Sequence, residues 1–382
     1  MKFHGAQRVA LIIAPVFLAL GLLHSGISRA QDASENKSRY PAPEFPAPGP
    51  EISGTTWINS PSLNLALLRG KVVLIDFWEY TCINCIRTFA QNKAWYERYK
   101  SYGFEIVGVH DPEFDIAYPV ENVRAAVKRF GLPYPVVADH WFTIWKSYNN
   151  RSWPSRFVVD AKGQVRFHRD GEGGDDEFER LIQRLLVEAH PGLKFPERFK
   201  IAADADAFDS RCGRSTREMY VGNWSDGGAL ANPEGYQNGK TIAYALPENV
   251  KDGRAILGGR WESDKNGMIY RGKQAGADGK DRMMMRYTAR EIYSVMNVAR
   301  GKFSQLYIQQ DGKDLTAAEK GVDVKLDALG HSYLEIREPR MYYLVANPAF
   351  GSHTVTLIPT QAGLAVNSFV FGNDCQLNFP HL

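Results

Sequence analysis

Seventeen consecutive residues constrain this chain more than any others: Val72-Val73-Leu74-Ile75-Asp76-Phe77-Trp78-Glu79-Tyr80-Thr81-Cys82-Ile83-Asn84-Cys85-Ile86-Arg87-Thr88. The apolar, β-favouring start predicts a buried strand that ends in an acid and two aromatics. A Cys-x-x-Cys then opens a segment with helical spacing. That order sets the first sulfur, Cys82, near a helix N-terminus, where unpaired N–H groups and the helix dipole favour a thiolate. The thiolate is the form that attacks disulfides. The spacing also lets Cys82 and Cys85 close a small ring, so the pair can switch between dithiol and disulfide.

Other readings of the pair compete. A Cys-x-x-Cys can be half of a zinc site, but the sequence holds no second such pair and its histidines are scattered. An inert structural disulfide is the second reading, and the strand-then-helix setting argues against it. A peroxidase built on one attacking cysteine is the third. It lacks the Pro-x-x-x-Thr-x-x-Cys pattern around both cysteines. No metal site and no cofactor are expected.

The chain has 382 residues, enough for two domains and a leader. A net charge of +3 and the lack of a long basic run give no reason to expect nucleic acid as a partner. The four cysteines, Cys82, Cys85, Cys212 and Cys375, are compatible with an oxidising compartment. Lys2 and Arg8 precede an apolar stretch over 9–23, and Ser28 and Ala30 stand at the −3 and −1 positions of a cleavage site. The alternative, an uncleaved anchor, needs about twenty apolar residues, and this stretch is shorter and contains Pro15. The expectation is a signal peptide over 1–30, cleaved before Gln31, and a periplasmic or otherwise exported protein.

Residues 31–50 are polar and carry five prolines, Pro41, Pro43, Pro46, Pro48 and Pro50, which reads as a tether. Over 51–190 strands alternate with helices: strands at 72–77, 104–109, 136–138, 156–160 and 164–168, helices at 83–102, 120–130 and 175–190. Such alternation predicts an α/β layer fold. Residues 191–210 read as a linker. From 211 to 382 short β-rich segments, among them 283–287, 292–298, 341–345 and 353–358, are separated by Gly, Asn and Asp turns. This predicts an all-β sandwich of jelly-roll type.

With Gly70-Lys71 before it, the opening run resembles the thioredoxin-like thiol:disulfide oxidoreductases of the TlpA and DipZ type. Val107-Gly108-Val109-His110-Asp111-Pro112-Glu113-Phe114, Asn122-Val123-Arg124, Trp153-Pro154 and Gly171-Glu172-Gly173 add to the likeness. Residues 211–375 more loosely resemble the carbohydrate-binding-module-like C-terminal domain of DipZ. The multi-helix membrane domain of that family is absent from this sequence. The resemblance implies a thioredoxin-like domain followed by the β-sandwich.

It also implies roles. Cys82 would be the attacking sulfur and Cys85 the resolving one. Asp76, six residues before Cys82, would be the buried acid that shuttles a proton for Cys85. Pro154 would be the cis-proline whose loop leaves the Trp153 backbone free to pair with substrate. Trp78 and Trp153 are candidates for an apolar wall beside the sulfurs, with core packing as the alternative for each. Glu79 is either an acid that raises the sulfurs' pKa or a solvated loop charge. The implied partners are oxidised or reduced envelope proteins, a membrane electron donor of the DsbD/CcdA type, and a glycan for the second domain.

Cys212 and Cys375 bracket the β-rich region, which suggests a structural disulfide joining its ends. Free thiols or a second redox pair are the alternatives. Trp224, Trp261, Tyr270 and Tyr343 are candidate sugar platforms, each with core packing as the competing reading. Met283-Met284-Met285 reads as strand packing, with soft copper ligation as the alternative. Two functions follow: an exported reductase of protein disulfides, or an envelope binding protein with a thioredoxin-like scaffold.

Overall fold

The computed structural model describes residues 46–199, 214–223, 229–274 and 276–372. The leader, Cys212, Trp224 and Cys375 lie outside the described residues.

The first sheet contains β1 (Ala47–Pro48), β2 (Trp57–Ile58), β3 (Val72–Trp78), β4 (Phe104–His110), β5 (Val136–Ala138), β6 (Ser155–Val159) and β7 (Gln164–Asp170). Their order is β1-β7-β6-β3-β4-β5-β2. Strands β3, β4 and β5 run parallel, and β6 lies antiparallel to β3. The helices are α1 (Ile83–Tyr99), α2 (Val120–Phe130), α3 (Thr143–Ser147) and α4 (Asp175–Ala189).

Every residue of β3 and β4 is buried, which explains their near-continuous apolar sequence. Strand alternation divides β3 between two cores. Val72, Leu74 and Trp78 join one with Phe89 of α1 and Ile182 of α4, whereas Val73, Ile75 and Phe77 join the other with Leu65 and Ile144. By the same parity Asp76 faces α1, a carboxylate inside an apolar layer. On β4, a Cβ at Gly108 would stand 2.9 Å from Trp78 Nε1, so the indole needs glycine beside it. Helix α4 buries Phe178, Leu181, Ile182, Leu185 and Leu186, the face its spacing predicts.

The second sheet has eleven strands: β8 (Met219–Tyr220), β9 (Thr241–Tyr244), β10 (Ala255–Ser263), β11 (Met268–Tyr270), β12 (Arg282–Asn297), β13 (Ser304–Gln310), β14 (Lys313–Asp314), β15 (Lys325–Leu326), β16 (Ser332–Ile336), β17 (Arg340–Pro359) and β18 (Ala365–Gly372). The arrangement is consistent with a β-sandwich. Four segments that read as separate strands are two long ones. Residues 283–287 and all but the last residue of 292–298 fall in the 16-residue β12, and 341–345 and 353–358 in the 20-residue β17. Register shifts at Ala289/Glu291 and Ile292/Tyr293 explain the difference. A bulge bends a strand without ending it, so polar residues at the bend mimic a turn. The first half of β12 pairs with β10 and its second half with β18.

Met283 and Met285 pack in the second core, and Met284 is half-buried. Trp261 and Tyr270 are fully buried, with ring centroids 5.1 Å apart, and Tyr343 is also buried. Trp261 and Tyr270 therefore offer no flat face to a sugar, whereas Tyr343 stacks on Tyr293 and lines a cavity at the seam.

The two regions share a packed seam. Ile83 and Ile86 of α1 belong to one apolar cluster with Tyr293, Val295, Met341 and Tyr343. Arg87 reaches Glu291 at 3.4 Å, Arg129 reaches Glu338 at 3.1 Å, and Lys265 reaches Asp115 at 2.7 Å. Part of the segment read as a linker is also packed. Phe195 lies against Tyr99 and Tyr102, and the Phe199 amide donates to Glu179 at 3.0 Å.

Candidate active site

Strand β3 delivers Asp76, Phe77 and Trp78 to the interior, and the chain then turns through Glu79-Tyr80-Thr81 into α1. Cys82 is the N-cap of that helix, with extended backbone, and its carbonyl accepts the first helical bond from Ile86 N at 3.0 Å. Cys82 is partly exposed, whereas Cys85, one turn in, is fully buried; both are free thiols. Asn84 stands between them, half-buried.

The turn is fixed by Glu79. Its carboxylate accepts from both the Thr81 amide and the Thr81 hydroxyl, while its backbone carbonyl accepts from Cys82 N at 3.3 Å. The reading of Glu79 as a solvated loop charge is therefore wrong: it is fully buried. Its other oxygen lies 3.7 Å from His110 Nε2. The His110 ring stacks on Tyr80 and meets Trp78 edge-on.

Asp76 lies beneath the dithiol. Asn92 of α1 donates to its Oδ2 at 2.9 Å, and Arg156 is its partner across the β3–β6 ladder. Burial pushes the Asp76 carboxyl up to about 7, against the opposing pull of Arg156 and the Asn92 hydrogen bond. An acid with that value exchanges protons near neutrality. Arg156 is itself fully buried, held by Asp175 at 3.1 Å and by the Gly173 carbonyl at 2.6 Å.

The two sulfurs differ in environment. Burial, the neighbouring Cys82 sulfur and the charge of Asp76 hold the Cys85 thiol well above the ordinary range. For Cys82 the hydrogen bond from the Cys85 thiol favours the thiolate, but burial and the carboxylates Glu113 and Glu218 outweigh it, and the thiol is raised. The helix-mouth argument from sequence expects the opposite direction. Those two carboxylates belong to residues distant in sequence, one of them beyond residue 210, so the run around the cysteines carries no trace of them.

The Trp153–Pro154 bond is cis, and the Trp153 carbonyl lies 3.9 Å from Cys82 Sγ. Trp153 is half-buried against Trp145, with ring centroids 4.5 Å apart. It can present an edge beside the sulfur. Trp78 cannot: it is fully buried between Phe89 and His110. As the last residue of β3 it follows strand parity into the α1 core, which leaves Trp153 as the one of the two tryptophans beside Cys82. Among the described residues, no group of three or more His, Cys, Asp or Glu side chains is placed to hold a metal ion.

Sequence reasoning gave no role to Asn92, His110, Asp111, Glu113, Arg156, Glu218 or Tyr220. The string Val107 to Phe114 was a signal for the middle of this set. It places His110 at the end of a buried strand, where a polar side chain needs a reason. Asp111 is fully buried, and burial together with Asp139 keeps its carboxyl well above the usual range. Nothing in the local sequence marks Glu218 or Tyr220.

Residues 39–168 match the AhpC/TSA family, and residues 216–372 match the family described as thioredoxin like C-terminal domain. Over 359 residues the chain is 32% identical to Protein DipZ of Mycobacterium bovis and to Protein DipZ of Mycobacterium tuberculosis; each match covers 91% of this chain and 46% of the relative. Over 117 residues it is 30% identical to the thiol-disulfide oxidoreductase ResA of Geobacillus kaustophilus, covering 31% of this chain and 64% of that protein. The chain thus spans about half the length of the DipZ proteins it matches.

Proposed function

The chain is a thioredoxin-like protein, an AhpC/TSA-family region followed by a thioredoxin like C-terminal domain, and from that premise we propose that it is an exported thiol:disulfide oxidoreductase that reduces protein disulfides. One observation supports this most: a partly exposed thiol at a helix mouth, a buried thiol one turn behind it, and a carboxyl of near-neutral pKa beneath the pair. In the first step the Cys82 thiolate attacks a substrate disulfide. A Cys82–substrate bond forms and one substrate thiolate leaves. Cys85, its proton taken by Asp76, then attacks Cys82 Sγ. The second substrate sulfur leaves as a thiolate and takes the proton back from Asp76, and two electrons have passed from the dithiol to the substrate. The Trp153 carbonyl lies beside Cys82 where an extended substrate segment can pair with it.

The reducing direction is favoured by electrostatics. Glu113 and Glu218 oppose a thiolate on Cys82. A dithiol whose thiolate form is not stabilised gives up its electrons more readily. Each turnover leaves a Cys82–Cys85 disulfide, so the cycle needs a dithiol donor, and a membrane protein of the DsbD/CcdA type fits an exported site. Cleavage after Ala30, the division at 51–190 and 211–382, and a Cys212–Cys375 disulfide belong to the same reading. The printed name of ResA, a thiol-disulfide oxidoreductase, supports it. Burial of Trp261 and Tyr270 weakens the alternative in which the β-sandwich is chiefly a glycan binder.

Insulin reduction tests the proposal. With dithiothreitol as electron source, the full mature chain should accelerate precipitation of the insulin B chain well above the reagent alone. If it does not, while Cys82 and Cys85 both titrate as free thiols, the oxidoreductase reading fails.

A further inference from the structure

The β-sandwich reaches the dithiol. Strand β8 is only two residues long, pinned to Ser368 and Phe369 of β18. Its Tyr220 extends onto the loop that follows β4. The Tyr220 hydroxyl donates to Glu113 Oε1, and its ring packs on Phe114, centroids 5.9 Å apart. The β10–β11 turn grips the same loop. Lys265 reaches Asp115 at 2.7 Å, the Asp115 amide donates to Asn266 at 3.2 Å, and Asn266 donates back at 2.9 Å. Cys82 and Tyr220 pack against the same apolar cluster, so Glu113, held from the second region, sits where its charge bears on Cys82 in the first.

We infer that Tyr220 is a positioning residue for the thiol chemistry: through its hydrogen bond it sets the charge on Glu113, and through Glu113 it sets how readily Cys82 ionises. This rests on the oxidoreductase reading and makes the β-sandwich a wall of the active site. The groups facing Glu113 are Glu79 from the turn after β3, Cys82 at the mouth of α1, and Glu218 and Tyr220 from the β8 segment; Asp115, paired with Lys265, is two residues along the same loop. Burial, Glu218 and Glu79 together push Glu113 up to about 8, and the Tyr220 hydroxyl works against them by favouring the carboxylate. Removing that hydroxyl leaves Glu113 protonated to higher pH. Its negative charge then opposes the Cys82 thiolate less.

The test reads the thiolate directly, without a protein substrate. Iodoacetamide modification of Cys82, located by fragment mass spectrometry, is followed from pH 6 to 10 in the full mature chain. Tyr220→Phe should move the profile to lower pH by about half a unit, or about threefold faster modification near pH 8. Glu113→Gln should move it further, because the charge is then absent at every pH. In the Glu113→Gln background, Tyr220→Phe should add less than it does alone, because only its hydrogen bond to Glu218 then remains. Superposition of the Tyr220→Phe profile on the wild type overturns the inference, as does a Tyr220 effect that persists in full without Glu113. If Tyr220→Phe does not fold, Glu113→Gln still decides: an unmoved Cys82 profile removes the link on which the inference depends. Because modification is independent of turnover, these failures are distinct from a failure to reduce insulin.

Discussion

Replacing Cys85 by Ser is expected to leave a protein that captures its substrate and cannot let go. Cys82 remains at the helix mouth, partly exposed beside the Trp153 carbonyl, and still attacks a disulfide. The sulfur that would release the product is gone. Mixed disulfides should accumulate on Cys82, visible as adducts on non-reducing gels that vanish with reductant, and insulin reduction should fall to the reagent background. Replacing Cys82 instead should abolish both capture and turnover, because Cys85 is fully buried and its thiol is held well above the ordinary range. The asymmetry is the informative result. Equal trapping by both variants, or none by either, would mean that the two sulfurs do not have the roles that their burial assigns.

Asp76→Asn should make the protein more stable and less active. The folded-state carboxyl is pushed up to about 7 from 3.8. The folded state therefore holds its proton where the unfolded chain has lost it, and wild-type stability falls as pH rises between those values. Asparagine removes that penalty and keeps an oxygen for Asn92. The variant should match the wild type near pH 3, gain progressively between about pH 4 and 7, and hold a constant advantage of roughly 2–4 kcal/mol above that range. Urea melts at pH 4 and pH 8 measure the difference directly. Turnover should drop on the order of 10²-fold, at the low end of what a positioned base supplies, with release from the mixed disulfide slowed more than attack. An advantage over the wild type no larger at pH 8 than at pH 4 would show that the Asp76 carboxyl titrates normally.

The pair of predictions describes one compromise. A carboxyl between β3 and α1 costs stability at every pH where the protein would work, and in the proposed cycle that cost holds a base beneath Cys85. Burying an acid is tolerable here because Asn92 and Arg156 meet part of its need. Arg156 is in turn compensated by Asp175, the Gly173 carbonyl and the Phe178 ring face. Removing any one of these partners exposes the next, so the polar chain under the dithiol behaves as a unit.

Sequence alone determined the elements whose information is local. The strand ahead of the dithiol, read over 72–77, the Cys-x-x-Cys at the mouth of α1, the amphipathic faces of α2 and α4 and the β-rich character of the later sequence are all written in periodicity and turn residues. Tertiary structure alone decided what depends on distant segments meeting. It bent β12 and β17 at bulges that a sequence pattern reads as turns. It sank Trp78 into the core and buried Glu79, although residues of these types flank exposed and buried sites alike. It buried Cys82 and brought Glu113 and, from more than a hundred residues away, Glu218 to bear on it, and so reversed the direction in which the helix mouth by itself would move the Cys82 thiol. Periodicity reports which face of an element is buried; the charge that a buried group meets is set by through-space distance, and that only the folded chain defines.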